Sequence, residues 1–190
     1  MSLRRSKLIR TSVLAALLSL SCRAWADKPF DHQAWQFLSG TGNILYLASG
    51  VGLPLLTDRH LGWNHTLRVA DAVGTSVLIC EGLKALVREK RPDSNAHDSF
   101  PSGHATAAFA VATTESALHP QQTPYWFAGA ALIAASRVGL HRHTVGDVLA
   151  GAALGYGIAR WEVASPRGLL LAPWIRPERH IYGLTLSANF

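Results

Sequence analysis

The stretch SFPSGHATAAFAV, residues 99–111, sets Pro101, Ser102, Gly103 and His104 at the mouth of an apolar run. Capping a helix there would need only the Ser102 hydroxyl, which can satisfy an orphan backbone N–H. Gly103 lets backbone amides come close to a ligand, and amides at a helix N-terminus point outward at an anion. His104 is more than a cap requires. A second segment, KALVREKRP, places Lys84, Arg88 and Arg91 at helical spacing near a helix C-terminus, where cations are favoured. Pro92 is expected to stop that helix. A third segment, SRVGLHRHTVGDV, holds Arg137 and then His143 and Asp147 at i, i+4, a spacing that puts the carboxylate beneath the imidazole on one helical face. Such a carboxylate can accept one ring N–H and leave the other nitrogen as a nucleophile or base.

Taken singly, each segment has an ordinary explanation: a solvated basic helix end, a capped helix with a surface histidine, a structural histidine. Taken together, their chemistry is coherent. Three cations with helix-terminal amides suit a phosphoryl group, which gathers charge on its equatorial oxygens in the transition state. One histidine can attack phosphorus while the other protonates the leaving oxygen. His141 and His143 resemble a metal pair, but neither an H-E-x-x-H pattern nor a cysteine ligand set accompanies them. No metal and no other cofactor is expected, because the cations would supply the charge that a two-metal site provides.

The elements that must position these residues are helices, expected over 42–57, 66–88, 104–118, 125–140 and 145–161, with a short amphipathic lead-in, DKPFDHQAWQFLSGTG. Between them lie breaker-rich stretches such as TDRHLGWNH, HPQQTP and GLHRHT. Little of the chain before residue 168 alternates with period two, so the expected class is all-α, a bundle of about five core helices. Small residues, as in VLAGAALGYGIA, let such helices approach closely. Helices that alternate up and down bring all the polar segments to one rim. The tail departs from this pattern: GLLLAPWI and IYGLTLSANF flank RPERH and read as a C-terminal β-hairpin over 166–190. A lone hairpin is marginal in water, so it should lie against the bundle or a membrane surface.

The formal net charge of +6 sits at the N-terminus. Residues 1–26 hold Arg4, Arg5, Lys7, Arg10 and Arg23 and no acid, leaving 13 basic and 12 acidic side chains elsewhere. No nucleic-acid partner is expected from a remainder of +1. A basic start, a short apolar run and Ala24-Trp25-Ala26 make residues 1–26 a signal peptide cleaved before Asp27. The alternative is a retained first membrane helix. Cys80 is the single cysteine of the mature chain, read as a buried inert thiol. The expected domain therefore spans 27–165, followed by the tail.

The set K-x6-R-P, P-S-G-H and S-R-x5-H-x3-D, read without a gap from Lys84 to Asp147, resembles the three-part signature of the type-2 phosphatidic acid phosphatase (PAP2) superfamily. That superfamily also holds bacterial non-specific acid phosphatases and vanadium haloperoxidases. The resemblance implies a PAP2-like bundle, in which Lys84, Arg91 and Arg137 hold the phosphate with help from Ser102 and the Gly103 backbone. It implies that His143 becomes a phosphohistidine, that Asp147 orients it, and that His104 is the general acid. The expected activity is metal-independent hydrolysis of a phosphate monoester, either a phosphorylated lipid at a membrane surface or a small soluble ester. The expected place is the periplasm of a Gram-negative cell, the protein being soluble or membrane-associated. The alternative is an integral inner-membrane protein with a periplasmic site. Two other functions are consistent with the residues: a vanadium-dependent haloperoxidase and a non-catalytic envelope protein.

Overall fold

The computed structural model describes residues 29–165, 171–176 and 181–186, with side chains from residue 32 to 165. The proposed signal peptide, 1–26, lies outside the described residues. Helix α1 (Pro29–Phe37) runs into a π-helical turn (Leu38–Gly42) and then α2 (Asn43–Thr57). A 3-10 turn (Arg59–Leu61) leads to α3 (Gly62–Val87), and a long loop leads to α4 (Gly103–Leu118). A second 3-10 turn (Pro120–Gln122) precedes α5 (Thr123–Gly139), and α6 (Val145–Ala164) closes the bundle. The fold is the expected helical bundle.

Helix α4 is its axis. Residues 105–108 and 110–115 of that helix are all buried, so no face of that stretch is left for water. Its neighbours are α2, α3, α5 and α6. The approach of α6 is backbone to backbone, which the spacing of Gly151 and Gly155 permits. A Cβ at Gly155 would stand 2.1 Å from the Thr106 carbonyl oxygen, and one at Gly151 would stand 2.5 Å from that of Ser102. On the other side, Val69, Val111, Trp126, Ala130 and Ile133 form the main apolar core. Each large aliphatic side chain buried there contributes about 1.5–3 kcal/mol. Tyr46 joins that core to the backbone, its hydroxyl donating to the Trp126 carbonyl at 2.9 Å.

One boundary differs from expectation. Helix α3 begins at Gly62, not 66, because the polar residues of its first turn find partners, His65 on Asp58 among them. It ends at Val87, within a residue of the expected 88 and ahead of Pro92: Arg88 is left-handed (φ 51, ψ 41) and its N–H closes on the Lys84 carbonyl. Arg91 consequently lies off the helix, in the α3–α4 loop, and does not share a helical face with Lys84. Beyond the bundle, the backbones of Leu171–Arg176 and Ile181–Leu186 pair antiparallel. Residues 166–170, 177–180 and 187–190, which the expected hairpin also needs, lie outside the described residues. Among the described residues, no helix is long and apolar enough to cross a membrane.

Candidate active site

The end of α3, the start of α4, the end of α5 and the start of α6 meet at one rim, as an up-and-down bundle requires. Thr144 caps α6 through a capping box in which its hydroxyl accepts from the Asp147 N–H, while Asp147 accepts from the Thr144 N–H. The i, i+4 spacing of His143 and Asp147 therefore arises from a helix cap and not from one helical face, since His143 precedes the cap. Asp147 Oδ2 accepts from Thr144 N at 2.8 Å and from the Ser99 hydroxyl at 2.6 Å. It lies 3.6 Å from His143 Nδ1, an ion-pair distance longer than a hydrogen bond. The Ser102 N–H reaches the Asp147 carbonyl at 3.0 Å, tying the start of α4 to the start of α6.

His143 is held in place by its backbone. Both the Arg142 and His143 N–H groups donate to the Arg137 carbonyl, so the α5–α6 turn folds back on Arg137. Burial lowers the pKa of His143, and the charges of Arg137 and Arg91 lower it further, against the pull of Asp147 and the Ser99 backbone. The ring is thus neutral at pH 7, the form that can attack. His104, on the first turn of α4, is lowered to about 4 by burial first and then by Arg137, with smaller effects from His143 and Lys84 opposed by the Ser39 backbone.

The three cations are held in different ways. Arg137 is 2% exposed, and burial together with Arg142 and Arg91 brings its pKa down to about 10. Its Nη1 donates to the Ser39 hydroxyl, 98 residues away, in the π-helical turn. Lys84 Nζ donates to Glu81 at 2.7 Å and lies 3.3 Å from where a Cβ on Gly103 would stand. Gly103 therefore leaves room for the Lys84 ammonium beside the start of α4. Arg91 makes a two-pronged contact with Asp98, through Nε at 2.7 Å and Nη2 at 2.9 Å. Burial pulls the Asp98 pKa up, but the Arg91 hydrogen bonds and the charges of Arg91, Lys84 and His143 hold it below the usual carboxylate range. Ser102 Oγ, Arg137 Nε and His143 Nδ1 are three buried side-chain atoms of this rim that have no hydrogen-bond partner among the described residues, as is true of seven buried atoms elsewhere. Unpartnered buried donors are uncommon, and a bound oxyanion is one way to satisfy them.

The structure thus gathers Lys84, Arg91, Ser102, Gly103, His104, Arg137, His143 and Asp147 at one rim. The family model of the PAP2 superfamily matches residues 66–169, more than half of the chain and all of these positions. The chain belongs to the PAP2 superfamily.

Over 104 residues, 51% of this PAP2 chain, it is 36% identical to the lipid A 1-phosphatase of Porphyromonas gingivalis, and it spans 23% of that relative's length. In fold it is similar to a transmembrane PAP2-type phosphatidylglycerolphosphate phosphatase from Bacillus subtilis. That likeness has a TM-score of 0.55 at 21% identity, covering 84% of this chain and 94% of the other. Sequence reasoning missed Ser39, Glu81, Asp98, Ser99 and Thr144. Only Thr144 carried a local signal, the T-x-x-D pattern of a capping box before an apolar run. His141 is exposed and left-handed (φ 54) while His143 is buried, so the two sit in unlike environments.

Proposed function

We propose that this PAP2 protein is a phosphoric monoester hydrolase that removes phosphate from a phosphorylated lipid, with His143 as the nucleophile. The observation that carries the reading is the pair of unpartnered buried donors, Ser102 Oγ and Arg137 Nε, beside two histidines held neutral. The phosphoryl oxygens would be met by Lys84, Arg91, Arg137, the Ser102 hydroxyl and the amides at the start of α4. His143 attacks phosphorus through Nε2, its Nδ1 facing Asp147. The P–O bond breaks, and the leaving oxygen takes a proton from His104. Water, losing a proton to His104, then cleaves the P–N bond and frees phosphate. The incoming dianion raises the His104 pKa from its value in the free protein, so the acid is charged by the arrival of its own substrate. These side chains supply the charge stabilisation with no cofactor in the scheme.

Apolar side chains around the rim favour a lipid over a soluble ester. Leu86 and Val87, just beyond Lys84, are 80% and 48% exposed, and Val145 and Leu149 at the start of α6 are 54% and 64% exposed. Solvent-facing leucines beside a cationic pocket suit a phosphorylated headgroup whose acyl chains stay in the bilayer. We place the protein at the periplasmic membrane surface after removal of residues 1–26, with the 166–190 hairpin as a further surface element.

The test is phosphate release from vesicles carrying phosphatidic acid, set beside a soluble aryl phosphate. Wild-type protein should prefer the vesicles, and His143→Ala should lose many powers of ten in rate. Phosphatase activity within tenfold of wild type in His143→Ala would overturn the nucleophile. A preference for the soluble ester would overturn the lipid. Bromide oxidation with added vanadate, without phosphate release, would move the protein to the haloperoxidases. N-terminal sequencing should find Asp27 first; an intact Met1 would place a retained segment in front of the bundle.

A further inference from the structure

At the other rim of the bundle, a second cluster of chemistry-bearing side chains takes no part in this scheme. Asp58 follows α2, His65 lies in the first turn of α3, and His119 caps the end of α4. One carboxylate oxygen and two imidazole nitrogens lie within 4.8 Å of one another, the only such grouping of potential metal ligands among the described residues. At about 1.5 Å per residue, the length of α4 separates His119 from His104 by about 22 Å, so this cluster is remote from the phosphoryl chemistry.

We propose that Asp58, His65 and His119 form a binding site for a divalent transition ion of the Zn²⁺ class. Two imidazoles and a carboxylate are a common zinc donor set, with the remaining position left to water. His65 Nδ1 stands 2.5 Å from Asp58 Oδ2, and His119 Nε2 stands 3.0 Å from the same oxygen. Ligand atoms around a tetrahedral zinc, each bonded at about 2.0–2.1 Å, lie about 3.3 Å apart. The two oxygen–nitrogen spacings therefore open to that geometry by less than about 1 Å, and the two ring nitrogens lie within 4.8 Å of each other. The two rings are already set nearly perpendicular, at 83° with centroids 5.9 Å apart.

A second feature separates this cluster from an ordinary surface ion pair. The far nitrogen of His119, Nδ1, is held at 2.8 Å by Glu115 Oε2, and Glu115 is 1% exposed. A buried carboxylate on the non-ligating nitrogen fixes the tautomer and orientation of a metal-binding histidine, as outer-shell partners of zinc ligands commonly do. Thr57 likewise steadies Asp58, donating to Oδ1 at 2.6 Å. The donors come from three separate elements, so a bound ion would fasten the α2–α3 corner to the end of α4. Its role is structural, and it would act on unfolding more than on turnover.

The probe is Zn²⁺ itself, with Co²⁺ as its coloured substitute, on the full chain without a histidine tag. Once chelator has stripped adventitious metal and been removed, the protein should take up one equivalent of added Zn²⁺ and keep it through dialysis, and a parallel sample given Co²⁺ should show the visible absorption of a tetrahedral ion. Saturating Zn²⁺ should raise Tm by at least about 4 °C. His65→Gln and His119→Gln should each remove that retention and the Tm rise, and Glu115→Gln should weaken binding by about 10–100-fold. His141→Gln, near the catalytic rim, should change nothing. Absence of stoichiometric Zn²⁺ or of a Co²⁺ band in wild-type protein overturns the site, whatever the variants do. Retention that survives both His65→Gln and His119→Gln, or that His141→Gln removes, overturns it as well.

Discussion

Ser99 donates its hydroxyl to Asp147 Oδ2 at 2.6 Å, joining residues 48 apart in sequence. The same oxygen accepts from the Thr144 N–H at 2.8 Å, so the carboxylate ties the α3–α4 loop to α6 as well as facing His143. Both residues are essentially inaccessible to water. Hydrogen bonds to a charged group contribute about 1.5–3 kcal/mol, with the upper range applying when a buried partner is left unsatisfied. Ser99→Ala should therefore lower Tm by several degrees while keeping kcat within about tenfold. Asp147→Asn should lose at least about 100-fold in kcat, because the cap and the partner of His143 go together. Thermal melts and single-turnover rates separate the two; equal kcat losses would make the Ser99 contact catalytic.

Gly103→Ala is expected to act on binding more than on folding. The new methyl would stand 3.3 Å from Lys84 Nζ, the end of a flexible side chain that can move away. Tm should stay within about 2 °C, since the neighbour yields easily, while KM rises several-fold as Lys84 leaves the phosphate cradle. An unchanged KM would mean that Lys84 does not meet the substrate.

Asp98 holds Arg91 through two hydrogen bonds, which fixes the plane of the guanidinium. Asp98→Asn should release that plane and raise KM by about 3–10-fold, with a smaller change in kcat, in the way that loss of an orienting contact affects binding. A fall in KM would show instead that Asp98 competes with the substrate for Arg91.

Anion binding should carry a proton with it. In the free protein burial and Arg137 hold His104 at about 4, so it is neutral near pH 6. A bound vanadate, a monoanion near pH 6, favours its charged form and raises that value. Calorimetry of vanadate binding at pH 6 in buffers of different ionisation enthalpy should report proton uptake, and the uptake should shrink in His104→Asn. Enthalpies independent of buffer would count against His104 as the acid. The same depressed pKa bears on stability. Between the ordinary histidine value and about 4 the unfolded chain binds the proton and the folded chain does not, so His104 makes the free protein less stable as pH falls through that window.

Gly155→Ala should be far more damaging than its size suggests. The added Cβ would meet the Thr106 carbonyl oxygen at 2.1 Å, a backbone atom that can move only if α6 moves. A loss of about 1–3 kcal/mol is expected, with Gly157→Ala, which meets nothing within 4 Å, as the control. Equal melting points for the two variants would refute the close approach of α4 and α6.

The bundle was largely legible because its helices are long, apolar and separated by Gly, Pro and Asp clusters. The polar segments were legible because each keeps its chemistry within a few residues. What could not be read falls into two kinds. Arg88 ends α3 in a left-handed turn, and nothing about an arginine announces that conformation. Ser39 reaches Arg137 across 98 residues, and Ser99 reaches Asp147 across 48; such contacts exist only once the chain has folded. Thr144 was readable from its spacing to Asp147.

Helix α4 is enclosed over residues 105–115, and its first turn carries Gly103 and His104 of the proposed phosphate cradle. The amides of its buried middle, residues 107–115, should therefore be among the last to exchange with deuterium, opening only when the whole bundle opens. The helix beneath that cradle cannot fray on its own. Heat would switch such a molecule off all at once, and every molecule still folded would keep the helix beneath the proposed cradle intact until then.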